Sequence, residues 1–247
     1  MGEDFRLNDL EKLTIPQLVK TQAEKLTSKS ALISESETIS FGDLDIFSTN
    51  IASHLIEHGI LPGDRAAIWA PNMNEWVLAA IAIHKAGGVV VPINTRMKGK
   101  EAAYILNNSE AKILFSVKKF LGIDFFELLK DEDLPYLKMQ VSLDSEATSS
   151  GDLIFSKLKI NPLDTELPDI NGNDMADIIF TSGTTGKPKG VISSHLQNIK
   201  VFDYWSKYIG LNGNDRYLIV NPFFHTFGYK AGWLASLMRG ATAYPCP

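Results

Sequence analysis

The chain contains one cysteine, Cys246, so no disulfide can form within it. That excludes a disulfide-framed secreted scaffold and fits a reducing compartment. Long apolar runs are also missing. The most apolar stretch, Trp76 to Ile83, is followed at once by His84 and Lys85, far short of the roughly 20 residues that a membrane span needs. Near the start, Glu3, Asp4, Arg6, Asp9, Glu11 and Lys12 come in quick succession with no apolar core behind them, unlike a signal peptide. A cytoplasmic protein without a transmembrane segment is therefore expected. A surplus of positive charge is lacking too: the net charge of −5 speaks against non-specific nucleic-acid binding. Neither an internal repeat nor a low-complexity tract is visible.

What is present suits a folded domain. Hydrophobic residues make up 45% of the 247 and charged residues 21%, enough to bury a substantial core in one large domain or two modest ones. The charge is unevenly spread. Residues 178–247 hold seven Lys or Arg against two Asp or Glu, whereas residues 1–177 hold 17 against 27. The basic part suits a polyanionic ligand such as ATP.

Along the chain, helical and strand patterns alternate, which predicts an α/β fold. Residues 42–58 read as an amphipathic helix through Leu44, Phe47, Ile51 and Leu55, ended by Gly59. Pro62-Gly63-Asp64 turns the chain into a buried strand, Ala66 to Trp69. Pro71 is expected to open a helix over Asn72 to Ala86, which Gly87-Gly88 ends. Val89 to Val91, closed by Pro92, reads as a strand, 98–108 as a helix, and Ile113 to Phe115 as a third strand. This rhythm predicts a largely parallel sheet flanked by helices. Residues 130–173 are less patterned, with a small polar loop over Ser145 to Gly151 and a turn at Asn171-Gly172-Asn173. Strands follow at Ile178 to Phe180 and Val191-Ile192. A helix runs from His195 to Tyr208 with Ser193 or Ser194 as N-cap. A strand over Tyr217 to Val220, a helix over Phe227 to Met238 and a strand over Ala241 to Tyr244, read as the start of a new unit, complete the pattern.

The segment richest in chemistry is Thr181-Ser182-Gly183-Thr184-Thr185-Gly186-Lys187-Pro188-Lys189-Gly190. Its three glycines let the backbone turn sharply and approach a ligand closely. Four hydroxyls supply donors, backbone N–H groups in such a turn can cup an anion, and Lys187 and Lys189 add point charges suited to phosphate. The spacing is not that of a Walker A loop, because two residues separate Gly183 from Gly186 and Pro188 follows Lys187. Nor does it contain a G-x-G-x-x-G fingerprint. The residues alone thus specify a phosphate or nucleotide loop of unspecified type. Elsewhere, His54-Leu55-Ile56-Glu57-His58 matches the H-x-x-E-H zinc pattern, but Leu55 belongs to a core face and His58 suits a helix C-terminus, so no zinc site is expected.

Ile178-Ile179-Phe180 followed by that loop resembles the signature phosphate loop of the adenylate-forming superfamily, which includes acyl-CoA synthetases, luciferases and peptide-synthetase adenylation domains. Four further segments are similar to that family in the same order. They are Ile39 to Leu44, Gly59 to Arg65, His84 to Asn94, and Asn221-Pro222-Phe223-Phe224-His225-Thr226-Phe227-Gly228. The stretch Arg216 to Gly232 looks most like bacterial CoA ligases for fatty or steroid-ring-derived propanoic acids.

The resemblance implies an incomplete N-terminal AMP-binding domain over 1–247, with the rest of that domain and a small C-terminal domain not included. It implies ATP, Mg2+ and coenzyme A as cofactor and cosubstrates, and a small carboxylic acid that becomes an acyl-adenylate and then an acyl-CoA. Thr181, Ser182, Gly183, Thr184, Thr185, Gly186, Lys187, Lys189 and Gly190 would bind the nucleotide, Thr181 would also contribute to the metal site, and His225 would stand at the mouth of the carboxylate pocket. Some of Tyr229, Gly232 and Trp233 would line an acyl pocket, and Phe223, Phe224 and Phe227 would pack. The family's later motifs for adenine, ribose and the catalytic lysine are not among these residues, so the 247 residues alone are expected not to form an adenylate. The alternatives are a non-catalytic nucleotide-binding remnant and another adenylate-forming ligase, such as a peptide-synthetase adenylation domain.

Overall fold

The computed structural model describes residues 13–144, 153–181 and 187–247. Its strands are β1 (Ser30–Ile33), β2 (Thr38–Ser40), β3 (Arg65–Trp69), β4 (Val89–Pro92), β5 (Ile113–Ser116), β6 (Met139–Ser142), β7 (Leu153–Ile154), β8 (Met175–Thr181), β9 (Lys189–Ser194), β10 (Arg216–Ile219) and β11 (Thr242–Pro245). The helices are α1 (Ile15–Leu26), α2 (Phe41–Glu57), α3 (Asn74–Lys85), α4 (Gly99–Asn108), α5 (Phe155–Ile160), α6 (His195–Tyr208), α7 (Thr226–Gly228) and α8 (Ala235–Arg239), with a π-helical stretch, Tyr229–Leu234, joining the last two.

Local chemistry accounts for the helix starts. Ser40 and Asp43 form a capping box at α2, and Ser194 and Gln197 form another at α6, each satisfying N–H groups that have no partner in a first turn. Thr14 caps α1, its hydroxyl accepting from Gln17 N at 3.2 Å.

The strands form two sheets. The larger has the order β7-β6-β5-β3-β4-β8-β9 and is parallel except for the β8–β9 hairpin. The smaller has the order β10-β11-β1-β2. The α/β architecture with a largely parallel sheet is as expected, but the second sheet was not foreseen. The final strand does not open a new unit: β11 lies between β10 and β1, with Ala243 opposite both Tyr217 and Leu32. Its partner lies some two hundred residues away, which no local pattern announces.

Helix α3 is the internal element. Eleven of its twelve residues are buried, as an all-round apolar helix requires. Trp76 meets Phe223, Tyr229 and Trp233 edge-on at centroid distances of 5.4, 5.4 and 6.3 Å. On the same helix, Val77 lines a small gap with Leu32, Ala243 and Trp233. The helix therefore joins the two sheets. Its start differs from expectation: it begins at Asn74, not at Asn72 behind Pro71. Asn72 is instead buried in a tertiary role described below.

No helix among the described residues is long and apolar enough to cross a membrane. In the H-x-x-E-H segment, His54 Nε2 lies 2.7 Å from the Asn161 carbonyl and His58 Nδ1 lies 2.8 Å from the His54 carbonyl. Both rings thus serve helix and loop ends. The polar loop expected over Ser145 to Gly151 lies outside the described residues.

Candidate nucleotide and carboxylate site

The phosphate-loop segment includes the ends of two antiparallel strands, β8 and β9, which it connects. The pairs run from Asp177 with Ser193 to Thr181 with Lys189, so Thr181 and Lys189 face each other where the hairpin opens. Thr181, Lys187 and Lys189 are exposed, and neither lysine has an ion-pair partner among the described residues. Ser182, Gly183, Thr184, Thr185 and Gly186 lie outside the described residues. Gly190 owes its identity to packing across the hairpin: a Cβ there would sit 2.6 Å from Ile178 Cγ2. The far side of the loop is tied to α4, where Tyr104 Oη donates to the Pro188 carbonyl at 3.3 Å.

Hairpin position and exposure suit a polyanion. Two ammonium groups with no ion-pair partner among the described residues, and a hydroxyl, stand at the carboxyl end of β8, which runs parallel to β4, the end where ligands bind in open α/β sheets.

His225 is exposed and forms the N-cap of α7. Its Nδ1 accepts from Phe227 N at 3.3 Å, which leaves Nε2 as the ring nitrogen that can donate to an oxygen of a bound ligand. No hydrogen bond joins His225 to Thr181, Lys187 or Lys189 among the described residues. Of the three phenylalanines expected to pack, Phe223 is buried but Phe227 is 51% exposed and rests edge-on against Trp205. The expected acyl-pocket residues Tyr229 and Trp233 are wholly buried, stacked on each other at 5.1 Å, and Gly232 lies against Ile219.

The strongest constraints on the His225 segment come from residues that sequence reasoning missed. Asn72 Nδ2 donates to the carbonyls of Ile219 and Asn221 at 3.2 and 2.9 Å, and its Oδ1 accepts from Phe223 N at 2.7 Å. One amide side chain thus clamps the stretch leading to His225. Behind it, Tyr229 Oη lies 2.9 Å from His84 Nε2, and Lys230 reaches the buried Asp177 of β8.

Burial raises the Asp177 carboxyl above its usual range, against the pull of Lys230 and Asn198. It also lowers His84 well below the ordinary histidine value, with His195 adding to the effect. His195, its ring 4.9 Å from that of His84, is pushed down to about 4 by burial. The available signal was a lone acid ahead of Ile178-Ile179-Phe180 and a lone base inside the apolar Tyr229 to Leu234 run, each too costly to bury alone.

Comparison with known proteins agrees with this geometry. The backbone superposes on the anthranilate CoA ligase AuaEII in complex with anthranoyl-AMP with a TM-score of 0.88, at 25% identity over 98% of this chain and 47% of that one. The fold is therefore that of the matching part of such a ligase. Residues 19–247 match the AMP-binding enzyme family, and the chain belongs to it. Among its relatives, a methyl-dioxo-octahydroindenyl propanoyl:CoA ligase of Mycobacterium tuberculosis is 40% identical over 97% of this chain and 47% of its own length. The ligase of the same name from Rhodococcus jostii is 37% identical over 94% of this chain and 47% of its own length. The chain thus spans about half the length of these relatives.

Proposed function

We propose that this chain is the phosphate-gripping part of an ATP-dependent acyl-CoA synthetase, which converts a carboxylic acid, ATP and coenzyme A into acyl-CoA, AMP and pyrophosphate. The observation that carries the reading is the β8–β9 hairpin, which presents Thr181, Lys187 and Lys189 exposed, the two lysines without an ion-pair partner among the described residues, where a segment rich in glycine and hydroxyls joins its strands. A carboxylate is a poor acylating agent, and AMP makes it a good one. The first step is mostly positioning and neutralisation of phosphate charge. In this reading the loop Thr181 to Gly190, including Ser182, Gly183, Thr184, Thr185 and Gly186, holds the β- and γ-phosphates. His225 donates from Nε2 to the acid's oxygen. Mg2+ suits a site with few protein oxygens, because it keeps waters and phosphate oxygens as ligands, and the exposed Thr181 hydroxyl can supply one oxygen. The metal would neutralise phosphate charge.

The two propanoyl:CoA ligase relatives favour a bulky, ring-bearing propanoic acid as substrate, and the single cysteine fits work in the cytoplasm. The rest of the site is supplied by further polypeptide seated on the β9–α6–β10 side. There Val191, Ile192, Val201, Tyr204, Leu218 and Val220 are each more than half exposed, and β9 and β10 are both edge strands.

Calorimetry with MgATP on the 247 residues tests the grip. Binding should weaken by about tenfold or more in Lys189→Ala, the loss expected for a hydrogen bond to a charged group, and by less in Thr181→Ala. Unchanged affinity in both variants would sink the reading. A chimera in which residues 1–247 replace the matching half of the Mycobacterium tuberculosis relative, screened for pyrophosphate release across carboxylic acids, tests the substrate class. ATP binding without turnover in that chimera would point instead to a nucleotide-binding module.

A further inference from the structure

Two apolar segments each carry one charge of opposite sign, and the fold buries these charges against each other. Lys230 Nζ lies 2.8 Å from Asp177 Oδ1 and donates to Ser193 Oγ at 3.1 Å. Asp177 and Ser193 are direct partners in the β8–β9 hairpin, so one ammonium group bridges both strands. Asn198 of α6 donates to the other carboxylate oxygen at 2.5 Å. The two charged side chains are 5% and 0% exposed.

A buried ion pair seldom adds stability over well-packed apolar side chains of the same volume, but its directional bonds can fix a geometry. The geometry fixed here has two ends. From Asp177 the hairpin runs regularly for four residue pairs to Thr181 and Lys189, about 14 Å at the strand rise, and so reaches the base of the phosphate loop. From Lys230 the chain leads back five residues to His225, whose carbonyl accepts from Gly228 N and Tyr229 N, both at 3.0 Å. That stretch has no slack: a Cβ on Gly228 would stand 2.3 Å from the carbonyl oxygens of Asn221 and Pro222. The π-helical turn begins at Tyr229, a widening that often marks functional positions in helices.

We infer that Lys230, through Asp177 and Ser193, is a positioning residue that sets His225 relative to the phosphate-loop hairpin. The inference rests on reading the loop and His225 as one site, yet its test needs no nucleotide.

Backbone hydrogen exchange on the 247-residue chain compares the native protein with Lys230→Met. Amides of Phe227, Gly228 and Tyr229 and those of the β8–β9 hairpin should exchange together, about tenfold faster, as expected when a charge-assisted bond is lost from a local opening unit. Amides of β3 and β5 should be unchanged. The nitrogen-15 resonance of His225 Nδ1 should move toward its value in a ring that accepts no hydrogen bond, a change that a purely stabilising core residue would not produce.

The double variant Asp177→Leu/Lys230→Met leaves no buried charge unpaired and guards against misfolding of the single one. It should melt near the native temperature while keeping the fast local exchange and the shifted His225 resonance. Native-like exchange and resonance in the double variant would overturn the inference, because packing alone would then set the position. So would uniform acceleration through β3 and β5 in both variants. Protection of the loop by added MgATP is a separate arm: its absence counts against the loop reading and leaves the exchange result on the linkage to stand by itself.

Discussion

Apolar side chains meet opposite fates in two parts of this molecule. Around β3, β4, β5 and α3 nearly every one is buried, and the strands read as unbroken apolar runs covered on both faces. Along β9, α6 and β10 the same residue types face outward: Val191, Ile192, Leu218 and Val220 are all more than half exposed. Charge divides similarly, because the acidic surplus lies before residue 178 and the basic surplus after it. The first part is a closed apolar core. The second holds the loop, His225 and two sheet edges, β9 and β10, the features on which the proposed ligand site rests.

The sharpest test of that contrast is a truncation in the core. Ile68→Ala, in the middle of β3 and wholly buried, should cost about 2–5 kcal/mol in chemical denaturation. A loss below about 1 kcal/mol would mean that this core is looser than its burial implies.

The next largest effect concerns the seam between the two parts, where His195 meets His84 and accepts from Ile15 N at 3.4 Å. His195 is depressed to about 4 from an ordinary value of 6.5, so the unfolded chain binds its proton first. Its contribution is fully present above pH 6.5 and is lost as pH falls toward 4, by about 3 kcal/mol in all. Burial lowers His84 in the same direction. Melting temperatures should therefore drop across that window, and His195→Asn should flatten the slope. A flat profile in the native protein would show that neither ring is held neutral.

Gly228→Ala comes third. The added methyl must push aside the Asn221 and Pro222 carbonyls, which should cost about 1–3 kcal/mol and move the His225 resonances more than those of His54. Last come Val191→Ser and Leu218→Ser on the open side, which should alter stability by no more than about 0.5 kcal/mol while reducing the binding of a hydrophobic dye. A large loss of stability there would erase the contrast.

Much of the architecture was legible because its signals are local. Ser194 announces the start of α6 at its own position, and Val89 to Val91 can hardly be anything but a buried strand. The glycine, hydroxyl and lysine content of Thr181 to Gly190 is likewise local. Asn72 was misread as part of a helix because its partners, the carbonyls of Ile219 and Asn221, lie about 150 residues away in sequence. Phe227 was misread as a packing residue because exposure depends on what covers a position, and its aromatic character says nothing of that.

By itself, the sequence determined the element types, the α/β class, the capping of the helices and a phosphate-suited loop, since each depends on residues within a few positions of one another. Only the tertiary structure decided that the strands divide into two sheets, that β11 lies beside β1, and that Lys230 meets Asp177 across 53 positions of chain. Long-range pairing follows from which surfaces the whole chain can bury together, and that sum over all residues cannot be read from any one segment.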